Sequence, residues 1–149
     1  MADLKGLGSF EGKTHILPIA VYYEDTDLSG VVYHANYLRY MERGRTEFFR
    51  TAGISRANLD DDAPTAWALR RIAVEYHRPA RLDDQIAVHS VLTAVSGARI
   101  NVLQRIFCGD VLLVEGRIEA CMITLTGKLC RLPKNVLETL APYVTPEET

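Results

Sequence analysis

No stretch of this chain is long and apolar enough to cross a bilayer as a helix. The first residues, Met1 to Gly8, have neither an apolar core nor a small-residue cleavage pattern, so no export signal is expected. Cysteine is scarce: Cys108, Cys121 and Cys130 are odd in number, far apart and without CxxC spacing. That argues against a disulfide framework and against a zinc site, and Cys121, inside an apolar run, reads as a buried thiol. Basic excess is absent too. The 17 Lys and Arg are outnumbered by 19 Asp and Glu, a net charge of -2, which lacks the usual footprint of a nucleic-acid surface. A local basic patch for an anionic ligand remains compatible with that sum. There is no internal repeat and no low-complexity tract. Reduced thiols without an export signal point to the cytoplasm.

What is present is an ordinary globular balance, 48% apolar and 24% charged, over 149 residues. That length suits one domain, able to bury about two-thirds of its unfolded surface without a staple. Residues 1–14 are Gly-rich and polar and read as a flexible leader, leaving 15–149 as a single domain. Residues 15–23 (HILPIAVYY) read as a strand, with Pro18 favouring an edge or a strand start. Tyr37, Tyr40, Met41, Phe48 and Ala52 then share one helical face, and Gly53 is a plausible C-terminal cap, which predicts a helix over 36–52. Arg43 and Glu47, one turn apart, can pair. Gly44 inside this helix costs about 1 kcal/mol relative to Ala, so a close approach by another element is expected there.

Residues 55–65 form a polar loop, after which the period changes from helical to two. Ile72, Val74 and Tyr76 alternate with Ala73, Glu75 and His77, and similar alternation recurs over 86–89, 100–106 and 111–125. Turn signals at 78–84, 96–97 and 108–110 predict an antiparallel meander. Leu132-Pro133 opens a short helix over about 134–141, closed by Pro142. The layout is α+β: one long helix and a sheet whose single apolar face needs that helix as a cover. One helix leaves surface for a second subunit, so a homo-oligomer is expected.

Chemistry concentrates between strand and helix, in YYEDTDLSGVVYHAN, residues 22–36. Glu24, Asp25 and Asp27 offer a carboxylate as base or nucleophile. His34 offers an imidazole. The helix start offers free N–H groups suited to a developing oxyanion. Gly30 permits positive φ or close approach of a substrate. From spacing alone, Asp-x-Asp is also a turn or capping element, His34 a structural histidine, and the tyrosines Tyr22, Tyr23, Tyr33 and Tyr37 core or interface aromatics. A metal site built from Asp25, Asp27 and His34 lacks a nearby fourth ligand.

The stretch Tyr-Tyr-Glu-Asp-Thr-Asp-Leu-Ser-Gly-Val-Val-Tyr-His-Ala-Asn-Tyr (22–37) resembles the opening motif of the 4-hydroxybenzoyl-CoA thioesterase-like hotdog family, and most of all its YbgC branch, acyl-CoA thioesterases associated with the Tol-Pal system. Met-Glu-Arg-Gly-Arg-Thr-Glu-Phe-Phe-Arg (41–50) is similar to the family's central helix, and residues 74–84 (VEYHRPARLDD) to a strand and the turn after it. Ser29 stands where a glycine or alanine is common, and His77 where tyrosine is common in that branch. The resemblance implies a hotdog fold: a long central helix wrapped by a five-stranded antiparallel sheet, in a homodimer or homotetramer with active sites at the dimer interface. It implies hydrolysis of a short-chain or aromatic acyl-CoA without metal or other cofactor. The family's catalytic aspartate falls on Asp27 and its histidine on His34, with Tyr23, Asp25, Gly30 and Tyr33 supporting. An acyl carrier protein or the Tol-Pal machinery is an implied partner. Arg70, Arg71, Arg78, Arg81, Arg99 and Arg105 are available for CoA phosphates. The rival readings are a hotdog dehydratase or hydratase, and a non-catalytic module that binds acyl-CoA or an acyl carrier.

Overall fold

The computed structural model describes residues 6–54 and 65–147. In chain order these form β1 (Ser9–Glu11), β2 (Thr14–Ala20), α1 (Asn36–Ala52), β3 (Thr65–Tyr76), β4 (Gln85–Ser96), β5 (Arg99–Cys108), β6 (Val111–Thr124) and α2 (Lys134–Leu140). The expected polar loop lies outside the described residues except for Thr65. The long helix has the predicted bounds, and Gly53 caps it in the left-handed conformation at φ 102°. Its buried face is Asn36, Tyr37, Tyr40, Met41, Gly44, Glu47 and Phe48, which takes in four of the five residues read from the sequence as one stripe, while the fifth, Ala52, is half-buried.

That stripe lies on one antiparallel sheet of order β1-β2-β4-β5-β6-β3. Two apolar clusters fill the interface. Tyr37, Tyr40 and Met41 pack with Val88, Ile106, Val114 and Ile118. Phe48 packs with Leu92, Ile100 and Met122, and α2 closes that end with Val136 and Leu140.

Gly44 is where helix and sheet come closest. A Cβ there would stand 2.7 Å from Val88 Cγ1 and 2.9 Å from Gln104 Nε2. Gln104 is fully buried, its amide donating to the Met41 carbonyl at 2.8 Å and to Ser90 Oγ at 2.9 Å. Its carbonyl accepts from Arg45 at 2.9 Å. Neither neighbour has room to retreat. Gly44→Ala is therefore expected to lower stability, because over-packing at about 1–3 kcal/mol outweighs a propensity gain of about 1 kcal/mol. Thermal unfolding checks this; a raised midpoint would mean that the contact yields.

The sheet has six strands, not five. The extra one is β1, inside the stretch expected as a leader. Gly12 at φ 60° turns the chain so that Glu11 pairs with Thr14. Phe10, the one large apolar residue there, packs edge-on against Phe48 at 5.0 Å between ring centroids. Glu47 accepts the Leu7 N–H at 2.6 Å and Arg50 at 2.8 Å, which replaces the expected pairing with Arg43. Since β1 reaches only Ile16, β2 is the sheet edge at Pro18, where a missing donor costs nothing.

The meander covers β4, β5 and β6 only. β3 pairs along its length with β6, from Thr65 opposite Thr124 to Tyr76 opposite Val114, and does not touch β4. The connection of residues 77–84 is too long for a tight hairpin. It crosses the end of the sheet: His77 and Arg78 donate to the Leu113 carbonyl, and Asp84 accepts from Val21. The twelve-residue β3 is thereby left as an edge strand.

Candidate active site

The segment between β2 and α1 is anchored at Asp25. This residue ends a short 3-10 turn, Tyr23–Asp25, and is buried. Its carboxylate accepts the Tyr22 N–H at 2.9 Å and the Asn36 side-chain amide at 2.9 Å. Its carbonyl accepts the Tyr33 N–H at 3.0 Å. Asp25 thus fastens both ends of the loop to the first residue of α1. Burial, then the neighbouring Asp25 carboxylate, pushes the Tyr40 hydroxyl well above the ordinary tyrosine range.

Beyond Asp25 the chain makes a miniature hairpin, with Thr26 bridged to Val32. The Asp27 N–H donates to the Val31 carbonyl at 2.9 Å, and Gly30, at φ 80°, donates back to the Asp27 carbonyl at 3.2 Å. Only glycine takes that conformation without strain. The hairpin is joined to the β3–β4 connection: Val32 donates to Ala80 and Leu82 to Gly30, at 2.9 and 3.2 Å, and Val31 bridges Arg81. Asp27 sits on the tip, exposed to solvent. One carboxylate oxygen accepts both the Ser29 N–H at 2.8 Å and the Ser29 hydroxyl at 2.5 Å. Those bonds, the hydroxyl foremost, hold the Asp27 pKa below the ordinary aspartate value. Its other oxygen is open to solvent or substrate.

Tyr33 and His34 follow, both exposed, their rings 4.5 Å apart and tilted by 49°. α1 begins without a side-chain cap: its first bonds run from Asn36 N–H to the Tyr33 carbonyl at 2.8 Å and from Leu38 N–H to the Ala35 carbonyl at 3.2 Å. The N–H groups of His34 and Ala35 meet no acceptor among the described residues. This leading end therefore carries partial positive charge and two open donors.

A carboxylate kept ionised and an uncapped helix terminus thus stand on one hydrogen-bonded span, residues 27–36. Asp27 and His34 share no hydrogen bond, and the groove of about 340 Å³ beside Tyr22, Asp25 and Arg43 takes in neither. In a single chain the site is open, flanked by exposed Leu28, Tyr33, Leu38, Tyr76 and Leu82. Tyr23 is also exposed; its carbonyl accepts from Thr26, and its ring touches no site residue. Two residues joined to the site went unread in the sequence. Tyr76 donates its hydroxyl to the His34 carbonyl at 2.9 Å, and the Tyr37 hydroxyl accepts the Ala80 N–H at 2.9 Å. Both tyrosines fit the apolar pattern of their elements, so nothing local marked their hydroxyls.

A long helix wrapped by one antiparallel sheet is the hotdog fold, and the similarities that follow make this chain a thioester hydrolase of that fold. The chain belongs to the thioesterase-like superfamily, whose profile matches residues 21–140. It is 37% identical over 121 residues to the acyl-CoA thioesterase YbgC of Haemophilus influenzae, covering 80% of this chain and 88% of that one. It is 39% identical over 122 residues to the acyl-CoA thioester hydrolase YbgC of Escherichia coli, covering 80% and 90%. Among solved structures, a probable thioesterase from Bartonella henselae superposes with a TM-score of 0.76 at 36% identity, over 80% of this chain and 99% of that one.

Proposed function

We propose that this enzyme hydrolyses the thioester of short-chain or aromatic acyl-CoA to the free acid and CoA. What supports the reading is an exposed, ionised Asp27 on the turn that leads into α1, whose first turn has two open N–H groups. The thioester carbonyl would face those N–H groups, whose pull grows as its oxygen becomes negative, so the transition state gains more than the ground state. Asp27 would draw a proton from water, or attack the carbonyl carbon to give an anhydride that water resolves. His34 would orient substrate or water. The thiolate leaves readily, and no metal or cofactor has a part in this scheme. Tyrosine rings at the leading end of α1 suit a planar acyl group.

The working assembly in this proposal is a cytoplasmic homodimer or homotetramer. Its support is the free edge of β3 and the apolar side chains around an open site. Tyr23, Gly30 and Tyr33 would support the reaction by shaping the site. Arg70 and Arg99 lie against Glu119, and Arg105 against Glu115. Arg71, Arg78 and Arg81, whose guanidinium groups pair with no carboxylate among the described residues, are better placed to meet CoA phosphates. An acyl carrier protein or the Tol-Pal machinery would be the macromolecular partner.

A thiol-release screen from acetyl- to palmitoyl-CoA, with aromatic acyl-CoAs included, tests the activity. Turnover concentrated on short or aromatic substrates is expected; binding without release of CoA would favour the non-catalytic module, and enoyl formation a dehydratase. The pH profile tests Asp27. Only the ionised form is active, and the Ser29 bonds extend that form to lower pH. Ser29→Ala removes the hydroxyl bond, so the acid limb of kcat/KM should move upward while the alkaline side stays in place. An unmoved limb would place the controlling ionisation elsewhere.

A further inference from the structure

Tyr76 is the last residue of β3, and its hydroxyl donates 2.9 Å to the carbonyl of His34. That carbonyl is outside the helical ladder. The N–H that would ordinarily reach it, four residues on at Leu38, bonds to Ala35 instead. Tyr76 is thus its sole protein partner among the described residues. A trans peptide is planar, with its N–H opposite its C=O. Fixing the His34 carbonyl therefore fixes the Ala35 N–H, which points away from Tyr76 and is unpaired. The preceding peptide is fixed in the same manner by Asn36, whose N–H holds the Tyr33 carbonyl at 2.8 Å and so directs the His34 N–H. Tyr76 itself is held: its ring meets Tyr37 edge-on at 5.7 Å, and the Tyr37 hydroxyl is tied to Ala80.

We propose that Tyr76 is a positioning residue for thioester hydrolysis, clamping the His34–Ala35 peptide so that the Ala35 N–H joins the His34 N–H as a second oxyanion donor. This rests on the hydrolase reading above. When the nucleophile adds to the thioester carbon, the carbonyl π pair moves onto oxygen, and the two N–H groups receive that charge. When the carbonyl reforms, the pair returns and the C–S bond breaks, its electrons leaving on the thiolate. Tyr76 keeps its proton throughout. Its bond also polarises the peptide, making the Ala35 N–H a stronger donor.

Without the clamp no bond among the described residues is made to the His34–Ala35 peptide itself, and its tilt is limited only by the neighbouring bonds of Tyr33, Asn36 and Leu38. The loss falls on the transition state, since only there does the oxygen carry full charge. Tyr76→Phe keeps the ring and removes the hydroxyl. It is expected to lower kcat by about tenfold, the worth of roughly one hydrogen bond, with KM and the thermal midpoint close to wild type. The factor should be the same for acyl-CoAs of different acyl group, because the carbonyl is common to all. In NMR spectra the Ala35 amide resonance should move while amides of β5 stay fixed. A wild-type kcat in Tyr76→Phe, or a loss expressed in KM or in stability with Ala35 unmoved, would overturn the assignment alone. A wild-type enzyme that releases no CoA from any acyl-CoA would overturn the hydrolase reading and this assignment with it.

Discussion

Asp27→Asn is expected to reduce kcat by roughly two to four orders of magnitude, the range for losing a positioned base. The substitution is nearly isosteric. An asparagine carbonyl can still accept both Ser29 bonds, the backbone bonds of the hairpin do not involve the side chain, and Gly30 is unchanged. Residue 27 is exposed, so no buried group is disturbed. The fold, the assembly state and the thermal midpoint should all persist while turnover is lost. What disappears is the negative charge and the basic lone pair, which serve base and nucleophile alike. Steady-state thiol release together with thermal unfolding checks both halves. An Asn variant with near-normal kcat removes Asp27 from the chemistry.

Asp25→Ala should behave in the opposite way, damaging the fold first. The Asp25 carboxylate is buried and accepts from Tyr22 and from Asn36, joining the loop to the first turn of α1. Alanine leaves both donors without a partner, in a place that water reaches poorly. Bonds to a charged acceptor are worth about 1.5–3 kcal/mol each, so a loss of roughly 3–6 kcal/mol is expected from the two together. That is a large share of the margin of a domain this size. The urea midpoint should fall with little change in slope, because the folded surface is the same. Activity should fall as well, since the turn that carries Asp27 is held against α1 through Asp25. Equal stability of Asp25→Ala and wild type would contradict this anchoring role. Two aspartates separated by one residue thus differ in kind, Asp25 a buried anchor and Asp27 an exposed carboxylate, the one proposed to meet substrate.

Spacing alone left Asp25 and Asp27 equivalent members of one acidic cluster, and only the family resemblance set Asp27 apart as catalytic with Asp25 supporting. Exposure and partners separate them, and both depend on how 22–36 folds. The helix was legible with its approximate bounds, because a 3.6-residue apolar stripe and a glycine cap are local signals. Strand positions were legible from alternation for the same reason. Strand order was not: alternation tells which face is buried and says nothing about which neighbour a strand takes, so the pairing of β3 with β6 came only from coordinates. β1 was missed because its three residues carry a single large apolar side chain, Phe10, whose anchors Phe48 and His15 are distant or ambiguous in sequence. Gly44 was read as a close approach without its partner, which proves to be Val88 and Gln104. Tyr76 was read as a strand residue, because a long-range bond from a hydroxyl to a backbone carbonyl leaves no periodic trace.

A crystal structure of Asp27→Asn bound to an uncleaved acyl-CoA is the most direct measurement of whether one point receives both the carboxylate position and the open amides. The thioester oxygen should lie about 3 Å from the N–H groups of His34 and Ala35, with residue 27 facing the carbonyl carbon. A thioester seated away from the start of α1, with those two N–H groups left in solvent, would contradict the account.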